Sequence, residues 1–327
     1  MRLKEAAPGS SQGSRKARQG PAPVHKIGAE RIVAHLTLHT FVRHLRSHRA
    51  SRPREPSAYL FRRSEISLTT GRESARAHPR KNNSMENTEI SWTDHTFNPW
   101  AGCTRVSPAC ENCYAENQTK RYGFVGWGPK AERRITGEAT WRNPLTWNRR
   151  AARENTRFKV FCASWADVFE GRAELDEPRS RLWDLIEETP NLDWLLLTKR
   201  PENIMGMAPD HWQGAFPEHV WVGTTVESPD YYERIDHLRN VPASIRFLSM
   251  EPLLADCSDV PLDAVQWVIV GGESGPGHRP MQMEWLEGIA KQCDAQGAPL
   301  WVKQWFGARS GQRGPIPDEL WRQQHPK

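Results

Sequence analysis

The chain has 327 residues, 37% of them hydrophobic, with 15 Trp and a formal net charge of +6. That length admits one large domain or two small ones, and no apolar run approaches the ~20 residues of a membrane-spanning helix. Six cysteines at irregular spacing do not form a secreted disulfide framework, so the expected compartment is the cytoplasm.

The net charge hides a break. Residues 1–84 hold 18 Lys/Arg against 5 Glu, a net of +13, with no Asp, Trp or Cys and six of the 12 His. Residues 85–327 hold 27 Lys/Arg against 34 Asp/Glu, a net of −7. The basic segment has one apolar patch, "RIVAHLTLHTFVRHL" (31–45), compatible with a short amphipathic helix. Three readings of 1–84 compete: a basic tail that touches phosphates, an Arg-rich targeting peptide, or translated sequence upstream of a start at Met85. The last is preferred, because globular composition begins directly after Met85. In each case 1–84 is expected to be disordered, having too little apolar surface to offset the ordering entropy.

A first strand is expected in "ISWTDHTF" (90–97). A cysteine loop follows, "GCTRVSPACENCYAE" (102–116), then a helix over 114–123. The segment "RYGFVGWGPKAERR" (121–134), with Trp127, is basic, Gly-rich and aromatic. It reads as a lid, as a stacking surface for a base, or as a plain connecting loop. From residue 159 a pattern repeats: "KVFCASWAD", "DWLLLTKR", "VWVGTTVE", "IRFLSMEP", "QWVIVGGE" and "PLWVKQW" are short apolar runs that end in polar residues. Such runs suit strands buried on both faces. Helices are expected between them at 176–189, 228–240 and 283–297, the last stopping at Gly297.

Strand and helix in alternation give βαβ units and a parallel sheet. The fold class is therefore α/β, a partial or full parallel (β/α) barrel. The barrel domain is expected over 85–310 and a C-terminal tail over 311–327. In a parallel barrel every strand's C-terminal end lies on one face, and that face holds the site. The polar strand ends are Ser164 and Asp167; Thr198, Lys199 and Arg200; Thr224, Thr225 and Glu227; Glu251; Glu273 and Ser274; Lys303 and Gln304. As isolated residues they are ordinary loop polars; as six ends in succession they read as a site.

Cys103, Cys110 and Cys113 are spaced C-x6-C-x2-C. Thiolates are soft ligands for zinc or iron-sulfur clusters. A structural zinc site wants a fourth ligand, for which His95 is the candidate, with Asp94 behind it. A four-iron cluster on three cysteines instead leaves one iron open to a chelating molecule. Three inert thiols are the remaining reading. Cys162, Cys257 and Cys293 stand alone; Cys162 and Cys293, in apolar or helical context, are expected to be buried free thiols.

In order along the chain stand "FNPWAGCTRVSPACENCYA", "LLTKRP", "GTTVE", "LSMEPLL" and "VGGESG". With these elements the chain from about Met85 to Trp305 resembles a phage- and prophage-associated three-cysteine family of unassigned activity. Through it the chain resembles the radical S-adenosylmethionine superfamily of partial TIM barrels. The loop is three residues longer than that superfamily's usual C-x3-C-x2-C, and Asn112 stands where an aromatic residue is usual. The resemblance implies a 4Fe-4S cluster on Cys103, Cys110 and Cys113, with S-adenosylmethionine on the open iron. It implies cleavage of that cofactor to a 5′-deoxyadenosyl radical, which abstracts hydrogen from a substrate, and a partner protein that donates the electron. Nucleic acid or a nucleotide is the substrate considered. Ser164 and Asp167 are assigned to the methionine end of the cofactor; Thr198, Arg200, Thr224, Glu227 and Glu273 complete the cofactor set. Lys199, Glu251 and Lys303 are the catalytic candidates. Two other functions stay open: a zinc-stabilised phage protein that binds nucleic acid or a partner without catalysis, and a barrel hydrolase with the cysteines as a clip.

Overall fold

A computed structural model of the protein describes residues 88–123 and 126–327; the readings for 1–84 lie outside these residues. The elements run β1 (His95–Phe97), β2 (Trp100–Ala101), α1 (Tyr114–Arg121), β3 (Arg134–Ile135), α2 (Glu138–Trp141), α3 (Asn143–Glu154) and β4 (Phe158–Cys162). Then come α4 (Asp176–Glu187), β5 (Leu192–Thr198), α5 (Ile204–Met207), β6 (Val220–Thr225), α6 (Glu233–Arg239), β7 (Arg246–Met250), β8 (Trp267–Gly271), α7 (Met283–Gln296) and β9 (Leu300–Gln304). Seven strands pair in the order β1-β4-β5-β6-β7-β8-β9, every pair parallel. The sheet curls into a half-barrel with helices between its strands, so the α/β partial-barrel expectation holds. No helix among the described residues is long and apolar enough to cross a membrane.

Alternation along each strand divides the core in two. One parity (Val160, Cys162, Trp194, Leu196, Val220, Val222, Leu248, Met250) joins the apolar stripes of the helices, including Leu182 and Ile186 of α4 and Leu286 and Ile289 of α7. The other parity forms a separate belt of Trp92, Phe161, Leu195, Trp221, Phe247, Trp267, Ile269 and Trp301 on the concave face. Register aligns this belt across strands: Phe161 beside Leu195, Leu195 beside Trp221, Phe247 beside Trp267, Ile269 beside Trp301. Gly223 has this parity too, and it must be glycine-sized, because a Cβ there would lie 2.5 Å from the Phe247 ring.

The segment read as a tail is part of this packing. The amide of Val302 donates to the Arg322 carbonyl at 2.7 Å and the Trp267 indole to the Gln324 carbonyl at 2.8 Å. His325 packs its ring 4.6 Å from that of Trp301 and 5.2 Å from that of Trp267. Burial lowers its pKa to about 4, which keeps the imidazole neutral at neutral pH and suits it to an aromatic wall. Belt and C-terminal segment together close the N-terminal end of the half-barrel. The opening is left at the C-terminal strand ends.

The expected helix over 283–297 is α7, stopped by Gly297 in a left-handed conformation (φ 69°). The one over 176–189 is α4, two residues shorter. The stretch 228–240 divides into a 3-10 turn, Pro229–Tyr231, and α6. The helix expected over 114–123 is α1. The sequence reading passed over α3 and the antiparallel β2–β3 pair. The polar α3 buries only Pro144, Trp147 and Ala151, and a pair of two-residue strands has no period to read.

Trp267 touches Trp92, Trp221, Phe247 and Trp301 in the belt. Trp267→Ala is expected to cost about 3–5 kcal/mol of stability, measured by denaturant titration; a loss under about 1 kcal/mol would show that the belt does not stabilise the fold.

Candidate functional site at the barrel mouth

The cysteine loop leaves β2 at Gly102, whose φ of +110° and whose surroundings both require glycine: a Cβ would stand 2.1 Å from the Gly126 carbonyl. Arg133 then organises the loop from within. Its Nε and Nη2 donate to the two Glu170 oxygens at 2.8 and 2.7 Å, both side chains being buried. Its remaining donors reach the Gly126 carbonyl at 2.7 Å, the Ala131 carbonyl at 2.8 Å and Thr104 Oγ1 at 2.8 Å. One guanidinium thus joins the cysteine loop, the glycine-rich segment and the chain after β4.

The far end of the loop is tied to the chain after β8. Arg279 donates to the Pro108 carbonyl at 3.0 Å and to Glu111 at 3.2 Å, while its Nε holds Glu273 at 2.9 Å. Asn112 donates to Glu273 at 3.0 Å and to the Gly277 carbonyl at 2.9 Å. The residue in the aromatic position of the resembled motif is therefore a polar clamp. Burial pushes the Glu273 carboxyl up, but the hydrogen bonds from Arg279 and Asn112 outweigh it and hold the pKa below the usual value.

The three cysteines line one cavity at the open end of the half-barrel. Ser164, Asp167, Thr198, Lys199 and Arg200 line it from β4 and β5, and Glu251, Glu273 and Lys303 from β7, β8 and β9. Thr224 and Glu227 stand apart from this group. Thr224 has the outward parity of Val220 and Val222, and its hydroxyl donates to the Thr198 carbonyl at 3.0 Å. Glu227 is buried beyond β6, paired with Arg234 at 2.9 Å. Neither lines the cavity. Thr225, one residue on, does line it and accepts Lys199 Nζ at 3.2 Å. His95 is not at the cysteines either: it is buried in a stack on Trp147 of α3, with ring centroids 4.2 Å apart, and edge-on to Phe158. Asp94 accepts the Lys159 amide at 2.7 Å.

Asp167 is the polar centre of the cavity. It accepts Thr198 Oγ1 at 2.7 Å, the Lys199 amide at 3.2 Å and Arg200 Nη1 at 2.8 Å. Arg200 also donates to the Thr104 carbonyl at 2.7 Å and stands 3.7 Å from Cys103 Sγ. Burial opposes the Arg200 charge, but Asp167 and Cys103 outweigh it, so the guanidinium stays charged beside the sulfur. Burial, with Asp167 adding to it, pushes the Cys103 thiol up to about 12 despite Arg200. Lys303 Nζ stands 3.1 Å from Glu251 Oε1 as an ion pair without hydrogen-bond alignment, and Ser249 reaches the other Glu251 oxygen at 3.3 Å. Gly271 leaves room for that carboxylate, since a Cβ there would be 2.7 Å from Oε1. Ser164 exchanges hydrogen bonds with Asn98, which also receives the Trp165 amide at 2.7 Å.

The donor set fits a polynuclear cluster in kind: three soft sulfurs, all partly exposed, on one cavity. A thiol held protonated gives up its proton to a metal cation. Among the described residues no group of three or more His, Cys, Asp or Glu is drawn together as a metal ion would need. Cys162 and Cys293 are buried thiols away from the cavity, as their contexts suggested, and the solitary Cys257 is buried as well.

The sequence reading missed Asn98, Arg133, Glu170 and Arg279, which carry no periodic signal; it placed Thr225 among the polar strand ends without giving it a role, although the parity it shares with Trp221 marks it as inward. Arg133→Met leaves the buried Glu170 with only Thr104 and the more distant Arg200, 3.9 Å away, as partners, and the expected loss at neutral pH is about 3–5 kcal/mol. In the wild type Glu170 is opposed by burial but held below its usual 4.5 by Arg133, so its contribution is present above 4.5 and is lost as pH falls through the lowered value. Without Arg133, burial, which favours the protonated acid, is opposed only by Thr104 and Arg200. The stability gap between variant and wild type should therefore narrow on acidification, as read by denaturant titration across pH; a constant gap would contradict this role.

Residues 87–317 match the model of a family described as protein of unknown function, DUF5131. No curated protein and no solved structure matches the chain. The matched stretch contains the cysteine loop, all seven strands of the half-barrel and every residue of the cavity, and the chain accordingly belongs to the DUF5131 family.

Proposed function

We propose that the protein is an iron-sulfur, S-adenosylmethionine-dependent radical enzyme of the phage-associated type. Cys103, Cys110 and Cys113 would hold a 4Fe-4S cluster. The observation that carries this reading is the meeting of three partly exposed cysteines with Lys199, Arg200, Glu251 and Lys303 in one cavity at the C-terminal mouth of a parallel half-barrel. When bound, cluster and S-adenosylmethionine supply one-electron chemistry: an electron from a low-potential donor protein cleaves the sulfonium and hydrogen is drawn from a substrate C–H.

The chain's own residues position and shield. Arg200, fixed by Asp167 and the Thr104 carbonyl, keeps a positive charge at Cys103 and lowers the cost of a buried thiolate. Lys199, held by Thr225, is the cavity cation without a carboxylate within ion-pair distance among the described residues, and is suited to a carboxylate of the cofactor. The Glu251–Lys303 pair is placed to hold hydroxyls or to move a proton. The aromatic belt below keeps water from the closed end.

Anaerobic purification with iron and sulfide analysis and electron paramagnetic resonance tests this. About four irons per chain are expected, with a spectrum that changes when S-adenosylmethionine is added. Alanine in place of Cys103, Cys110 or Cys113 should abolish iron binding while the circular dichroism remains folded. About one zinc per chain and no iron would overturn the reading in favour of a zinc-stabilised binding protein.

A further inference from the structure

Beside the cysteine cavity lies a second one, not used by the chemistry above. The two share Ile90, Tyr114, Ser164, Ser274 and Lys303, so they are neighbouring chambers with a common wall. The outer chamber is lined by the rings of Tyr114 and Trp165 and by Arg121 and Arg309, among others. Both rings are anchored by their polar ends: Tyr114 donates to the Ser164 carbonyl at 3.2 Å and the Trp165 indole to Gln118 at 3.0 Å. Tyr122, well exposed, brings a third ring 6.4 Å from Trp165.

The charges differ from those of the inner chamber. Arg121 and Arg309 have no carboxylate within ion-pair distance among the described residues, whereas Lys303 is held by Glu251. Among the described residues Glu89 is the one carboxylate on the wall. Two uncommitted guanidinium groups therefore stand in a region whose net charge over residues 85–327 is −7. Their charge is local and is combined with oriented aromatic rings. Rings bind the π-face of a base, and guanidinium groups bind phosphate with paired donors. A plain inorganic anion has no use for the rings, and an apolar ligand has none for the arginines.

We propose that the outer chamber binds a nucleotide unit, with its base on the Tyr114–Trp165 platform and its phosphate at Arg121 and Arg309. This rests on the reading above only in taking the outer chamber as the substrate side of the cysteine cavity. A free nucleotide and one residue of a single strand present the same chemistry.

Fluorescence anisotropy with short labelled single-stranded DNA and RNA, competed by adenosine monophosphate, tests the site. Arg121→Glu with Arg309→Glu should weaken oligonucleotide binding by at least about tenfold and reduce the salt slope by about 0.7, for the one phosphate the two guanidinium groups share. Trp165→Phe should retain binding, and Trp165→Ala should weaken it by about tenfold. Competition by the mononucleotide identifies free nucleotides as a source; binding of oligonucleotides alone identifies a strand. Absence of binding of both, or equal binding by the double-arginine variant with an unchanged melting curve, overturns the proposal. Iron content and the S-adenosylmethionine-dependent spectrum, recorded on the same proteins, separate the two claims. The arginine variant should keep both signals. A wild type that binds oligonucleotide without iron refutes the radical chemistry and leaves the nucleotide site standing.

Discussion

The buried Arg133–Glu170 pair is the interaction on which the site depends. It draws Thr104, Gly126 and Ala131 onto one guanidinium and so gives the cysteine loop its path. Burying two charges is costly, and such a pair rarely adds much stability over an apolar replacement. What it supplies here is position. A loop without regular secondary structure keeps its conformation only if its polar groups have partners in fixed places. Arg200 and Arg279 act in the same way at the other points where the loop meets the barrel, one beside Cys103 and the other at Pro108.

The half-barrel gives this loop something to close over. Parallel strands place their C-terminal ends on one side, and the alternation of side chains sends every second residue into the concavity. On β6, β7 and β9 the lower inward positions are aromatic and the uppermost polar: Trp221 is followed by Gly223 and Thr225, Phe247 by Ser249 and Glu251, Trp301 by Lys303. These strands thus change from a sealing to a chemical role over roughly 7–13 Å, the rise of two to four residues. The C-terminal segment completes the seal, so the cavity has its opening at the cysteine end.

Much of this was legible. The apolar runs and their polar ends gave the parallel α/β class, and the three-cysteine loop marked the mouth. Parity, applied strictly, would also have excluded Thr224 and selected Thr225, since Trp221 sets which residues face inward. Glu227 lies past the strand's end, where alternation no longer holds, and only its partner Arg234 reveals its direction. His95 looked like a possible fourth ligand by proximity in sequence, yet β1 points it at the helix layer and Trp147.

The sequence by itself determined the layers, the polarity of the sheet and the chemical type of the cysteine loop, because these follow from hydrophobic period and residue kind, which are local properties. The tertiary structure alone decided which charges meet. Arg133 and Glu170 are 37 residues apart, Arg200 and Cys103 97, and Arg279 and Pro108 171. Long polar side chains carry no period, and their partners are set by where the curled sheet brings distant loops together.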